Sequence, residues 1–248
     1  MGAKVNLKIW RGTSAGGEFK DYTADAEEGM VVLDVVHQVQ ATQANDLAVR
    51  WNCKAGKCGS CSAEINGRPR LMCMTRLSEL PPGETITVEP IQAFPVMKDL
   101  VTDVSSNYRA KLKIKKFKPR PPDAPDGTWR MDQQDVDRVQ EFRKCIECFL
   151  CQNVCHVLRD HAKHEEFVGP RTLVYSAALE MHPLDVEDRL PELKNEGGIG
   201  YCNITKCCTT VCPEGITITD NAIIPLKERV VDRYYDPVKR IWRAITGG

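Results

Sequence analysis

Hydrophobic and polar positions alternate at the start of the chain. Val5, Leu7 and Ile9 fall between polar neighbours, which predicts a half-buried strand. The segment GTSAGG (12–17) reads as a turn, and Glu18 to Thr23 is expected to return as a second strand. Leu33, Val36 and Val39-Gln40 change to helical spacing and predict one short helix. Asn66-Gly67 is a hairpin signal, and Thr85 to Val88 reads as a last strand stopped by Pro90. Past about residue 135 the period is helical throughout. Val136, Val139 and Phe142 recur three apart, and Leu173, Val174, Ala177, Ala178 and Met181 form a stripe behind Gly169-Pro170. Ala222, Leu226, Val230 and Arg233 predict a further helix, with Pro225 at its first turn or at a kink. The tail VKRIWRAI (238–245) is basic and amphipathic; packing on a partner or on its own core is expected, with a membrane surface as the alternative.

The change of period divides the chain. Residues 1–105 form a strand-rich domain, 135–248 a helical one, and 106–134 a connector. Lys111, Lys113, Lys115, Lys116, Lys118 and Arg120 crowd that connector ahead of PPDAPDG, the composition of a solvated linker; docking on an acidic partner is the alternative. The expected fold class is α+β: a small β-grasp domain with one helix, then an all-α domain.

Charge and composition narrow the function. Among 248 residues, 34 Lys plus Arg balance 34 Asp plus Glu, so clustered positive excess for nucleic acid is not expected. No run of apolar residues is long enough to cross a bilayer. The opening MGAKVNLKIW lacks an apolar signal core, so a secretory leader is not expected. Twelve cysteines in a reducing compartment then point to metal ligation, with disulfides as the competing reading.

The cysteines fall in three groups. Cys53, Cys58 and Cys61 are spaced C-x4-C-x2-C with Cys73 further on, the plant-type [2Fe–2S] spacing. Gly56 and Gly59 suit a loop that folds closely over a cluster and turns N–H groups toward its sulfides. Zinc is the competing reading there, although its sites favour two close cysteine pairs. Cys145, Cys148, Cys151 and Cys155 follow the bacterial ferredoxin spacing C-x2-C-x2-C-x3-C, in which the fourth thiolate ligates the neighbouring cluster. The third group, CNITKCCTTVCP (202–213), aligns with the same motif with Thr205 at its second ligand position. Crossing the fourth ligands gives Cys145, Cys148, Cys151 and Cys212 to a [4Fe–4S] cluster, and Cys155, Cys202 and Cys208 to a [3Fe–4S] cluster. Cys207 is left over and is expected to point away, with completion of a four-iron cluster as the alternative. No dinucleotide fingerprint and no nucleophile or acid–base constellation is evident, so substrate chemistry is expected outside this chain.

These three motifs in this order, with FVGPRTL (167–173) between the last two, resemble the iron–sulfur subunit of succinate dehydrogenase and fumarate reductase over essentially the whole chain. The resemblance implies an electron relay in a succinate:quinone oxidoreductase. One partner would be a flavoprotein with FAD and the dicarboxylate site, and another a membrane anchor with the quinone. It places the subunit peripherally on the cytoplasmic face of the cell membrane, held by those partners. A soluble fumarate reductase without an anchor is the alternative. The chain departs from the family's pattern at His156, where proline is usual and which the resemblance places near the quinone. It also has no Trp between Trp129 and Trp242, and Thr205 stands where an apolar residue is usual. His156, His161, His164 and His182 fall in one region; exposed surface histidines are expected, with proton handling as the alternative.

Overall fold

The alternating N-terminus becomes strand β1 (Ala3–Thr13), whose Leu7 and Ile9 are fully buried. The computed structural model describes residues 3–246. Ser14-Ala15 turns the chain, and β2 (Gly16–Ala26) pairs with β1 antiparallel along its whole length, Ala3 opposite Ala26 and Thr13 opposite Gly16. Helix α1 (Val32–Thr42) buries Val32, Leu33, Val35, Val36 and Val39 against the sheet, and the Asp34 carboxylate accepts the Val31 N–H at its start. Strands β3 (Ser62–Ile65) and β4 (Arg68–Leu71) form the hairpin expected at Asn66-Gly67, with both turn residues at positive φ. Strand β5 (Ile86–Glu89) runs parallel to β1 and antiparallel to β3, so it stitches the two hairpins together. Two short strands close the edge, β6 (Val96–Lys98) and β7 (Val101–Thr102).

The segment read as a solvated connector is strapped down. It opens with helix α2 (Ser105–Lys113), a polar helix with Asn107 buried. Beyond it, Arg189 is almost wholly buried and donates to the carbonyls of Lys115 and Lys116 and to Asp185. Lys115 pairs with Glu187 and Glu192, and Arg120 N–H and Val186 N–H bond across to Leu184 and Lys118. The side chains of the segment stay largely exposed, but its backbone is tied to partners about seventy positions on, beyond any local pattern.

The second half is built from helices α3 (Gln133–Gln140), α4 (Leu150–Asn153), α5 (His156–Arg159), α6 (Gly169–Glu180), α7 (Leu190–Asn195) and α8 (Cys207–Thr210). A π-helical turn (Ile218–Ile223) then feeds α9 (Ile224–Tyr234), with Pro225 in the first turn, where no N–H is needed. Helix α10 (Pro237–Thr246) ends the described chain; its Val238, Ile241 and Ile245 are exposed, so they do not pack on the chain's own core. Leu173, Ala177, Ala222, Ile223 and Leu226 are fully buried and centre the helical core. The other core centres on the sheet and α1, and Phe149 and Leu150 of the helical half reach into it. No helix among the described residues is long and apolar enough to cross a membrane.

Candidate metal centres

Cys53, Cys58 and Cys61 sit on the loop between α1 and β3, and Cys73 follows β4, brought back by the hairpin. Their thiols come as two pairs. Cys53 and Cys58 are partly exposed, and the Cys53 N–H points at Cys58 Sγ, 3.5 Å away. Cys61 and Cys73 are buried, and the Cys73 N–H lies 3.5 Å from Cys61 Sγ. Cys53 Sγ accepts the N–H groups of Ala55 and Lys57, both at 3.3 Å. Positive φ at Lys54, Gly56 and Gly59 turns these amides inward. Burial alone would raise the Cys58 thiol, but bonds from the Ser60 side chain and the Cys53 amide outweigh it and bring it down to about 6. Burial pushes the Cys61 thiol up to about 12.

The second and third groups share one backbone design. Two and four residues after Cys145, Glu147 and Phe149 take positive φ, and α4 follows. Two and four residues after Cys202, Ile204 and Lys206 do the same, and α8 follows. Position by position, Thr205 corresponds to Cys148, Cys208 to Cys151, and Cys212 to Cys155. Burial raises the Cys148 thiol to about 12, with Cys145 and Cys212 adding to it. Cys151 is pushed well up by burial, and its charge neighbours are Cys148, Cys145, Cys208 and Cys212. Burial raises Cys155 to about 11, and its thiol neighbours are Cys207 and Cys202. Thus each loop's last cysteine lies with the other loop's thiols. A cavity lined by Cys155, His156, Cys202, Thr205, Cys207 and Cys208 marks the third group.

The loops touch one another. A Cβ on Gly59 would lie 2.6 Å from the Ile146 carbonyl oxygen and 2.8 Å from the N and Cα of Cys148. Ser62, next to Cys61, donates its hydroxyl to the Cys148 carbonyl at 2.8 Å. Glu64, buried on β3, accepts from Asn153 Nδ2 at 2.7 Å and pairs with Arg159 at 2.9 Å. Glu147 is held between Lys111 and Arg171, the latter from the FVGPRTL stretch. Ser62, Glu64 and Glu147 carried no signal in the sequence, because their partners are far away along the chain.

The donor sets suit iron–sulfur groups better than single ions. Among the described residues no three His, Cys, Asp or Glu converge as one metal ion requires; a zinc site needs its sulfurs about 2.3 Å from a common centre. Instead thiols line loops whose amides face sulfur, and their burial makes a bare thiolate costly unless a cationic core accompanies it. Two pairs suit a two-iron core, the set Cys145, Cys148, Cys151 and Cys212 could hold four irons, and Cys155, Cys202 and Cys208 could hold three. The histidines disperse. His156 lines the third cavity with its ring 6.3 Å from His161, His164 lines a different pocket, and His182 packs on Phe117. Cys207 is not turned away as expected; it lines the third cavity, with Sγ 3.3 Å from Thr205 Oγ1.

The chain is similar to known iron–sulfur proteins along most of its length. The family described as a 2Fe-2S iron-sulfur cluster binding domain matches residues 6–109, and the 4Fe-4S dicluster domain matches residues 141–216. The fumarate reductase iron-sulfur subunit of Mycobacterium tuberculosis is 33% identical over 203 residues, 80% of each chain. The succinate dehydrogenase iron-sulfur subunit of Bacillus subtilis is 31% identical over 182 residues, 69% of this chain and 68% of that one. A chain of the Mycobacterium smegmatis Sdh1 complex in its apo form superposes with a TM-score of 0.91 at 62% identity, covering 96% of this chain and all of that one.

Proposed function

Because the chain belongs to the family of succinate dehydrogenase and fumarate reductase iron–sulfur subunits, we propose that its three cysteine groups form a single relay, ordered from the N-terminal loop through Cys148 to the Cys155 cavity. The chain is the electron-transfer subunit of an oxidoreductase complex. In this reading Cys53, Cys58, Cys61 and Cys73 hold [2Fe–2S], and Cys145, Cys148, Cys151 and Cys212 hold [4Fe–4S]. Cys155, Cys202 and Cys208 hold [3Fe–4S]. The partners are an FAD-containing flavoprotein at the exposed Cys53–Cys58 end and a membrane anchor with quinone near Cys155 and His156. The complex sits peripherally on the cytoplasmic face, and the sheet domain is of the β-grasp kind. The observation that carries the reading is the exchange of Cys155 and Cys212 between two like loops, joined to the first loop by the Gly59–Cys148 contact.

Bound clusters supply one-electron steps; the protein's part is to hold, shield and space them. Amides aimed at Cys53 and Cys58 surround the sulfurs of the exposed end with N–H donors. Gly59 lets one loop's backbone rest on the next, and Ser62 fixes that contact by a hydrogen bond. Glu64 with Asn153 and Arg159 locks the sheet to the helical half, so spacing cannot drift. Buried thiols at Cys151, Cys155 and Cys208 keep water from the inner positions. The test is ligand exchange in the purified complex. Cys212→Ser should disturb the four-iron signal and spare the three-iron signal, and Cys155→Ser should do the reverse. The opposite pattern would refute the crossing.

A further inference from the structure

Cys207 is the one cysteine that the relay does not use. Its structural counterpart in the second loop is Leu150, which is 1% exposed and packs into the sheet core. Cys207 has no such role. It is only half-buried, and it lines the same cavity as Cys155, Cys202 and Cys208. Its neighbour in that cavity is decisive. Thr205 corresponds to Cys148, a ligand position, so the Thr205 hydroxyl stands where a fourth thiolate would enter. Cys207 Sγ lies 3.3 Å from that hydroxyl. A thiol in contact with the residue at the vacant corner needs only a side-chain rotation to replace it, and a thiolate is a far softer iron ligand than a hydroxyl.

We propose that Cys207 is a reserve fourth ligand, so that the third station takes up one ferrous ion and holds either three irons or four. The proposal rests on the three-iron reading above. The balance is simple. The reduced three-iron group takes one ferrous ion at its open corner; the Cys207 thiol loses its proton to solvent as the sulfur–iron bond forms. The electron that first reduces the group comes through the relay itself, and no other bond breaks. Chelation of the ferrous ion reverses the step, and mild reoxidation leaves the fourth iron in place. The station nearest the quinone would then answer to iron supply and redox state.

The experiment uses the whole purified complex, oxidised, and electron paramagnetic resonance. An oxidised three-iron group is paramagnetic and an oxidised four-iron group is silent. Wild type, Cys207→Ala and Thr205→Cys are each reduced anaerobically, exposed to ferrous ion, desalted and reoxidised. The wild type should lose most of its three-iron signal, Cys207→Ala should keep it, and Thr205→Cys should be silent before and after. A wild-type signal that survives ferrous ion, or one lost equally in Cys207→Ala, overturns the proposal. If untreated wild type is silent, the three-iron reading fails by itself. A signal regained in untreated Cys207→Ala would then still establish Cys207 as a ligand, and continued silence would sink both.

Discussion

Replacing Gly59 by alanine probes the contact on which the relay's spacing depends. Gly59 has φ +66°, and the added Cβ would meet the Ile146 oxygen at 2.6 Å and two Cys148 backbone atoms at 2.8 Å. Ordinary contact begins near 3.4 Å, so the two loops must part by roughly 0.6–0.8 Å. All three atoms are backbone, and no flexible side chain can yield instead. The left-handed conformation costs a residue with a Cβ about 1–2 kcal/mol. Overpacking against rigid neighbours adds about 1–3 kcal/mol. Gly67 supplies the control, with φ +69° and nothing within 4 Å of its Cβ position, so Gly67→Ala carries the conformational cost alone. The assay is thermal unfolding of the purified complexes, together with the relaxation enhancement between the reduced two-iron and four-iron groups. Gly59→Ala should unfold at clearly lower temperature than Gly67→Ala and weaken the magnetic interaction. Equal melting of the two variants with unchanged relaxation would refute the contact.

Two further outcomes follow from the same geometry. Arg189→Met should release the strap over residues 114–120, because it removes the donors to the Lys115 and Lys116 carbonyls, and limited proteolysis should then cut there faster than in wild type. At Glu141, burial alone would raise the carboxyl, but bonds from Asn221 Nδ2 and the Thr217 N–H outweigh it and hold it below its ordinary value. A depressed carboxyl adds stability that is complete above the unfolded value of about 4.3 and fades as pH falls through the folded one. The stability gap between wild type and Glu141→Gln should therefore be widest near neutral pH and close in acid; a constant gap in thermal midpoint would contradict this.

The legible part of the molecule is what local spacing encodes. Val5, Leu7 and Ile9 announce β1, Asn66-Gly67 announces the β3–β4 turn, and the C-x2-C spacings announce both helical cysteine loops. The illegible parts are held by distant partners. Helix α2 has no apolar stripe, and it is fixed by Asn107 to Gln152 and Lys111 to Glu147, at separations of 45 and 36 residues. The positive φ values at Glu147, Phe149, Ile204 and Lys206 fall on residues that ordinarily avoid them, so no glycine marks the repeated loop. Neighbouring side chains in a helix diverge, but Cys207 opens α8 directly after a left-handed residue and still lines the third cavity.

The proposed relay sets three unlike stations in line on one chain. Mössbauer spectroscopy of the isotopically enriched, anaerobically purified complex, recorded before and after succinate, tests it most directly. Two-iron, four-iron and three-iron components are expected together, with succinate reducing at least the highest-potential of them. A spectrum lacking the two-iron component, or one in which succinate reduces no iron, would contradict it.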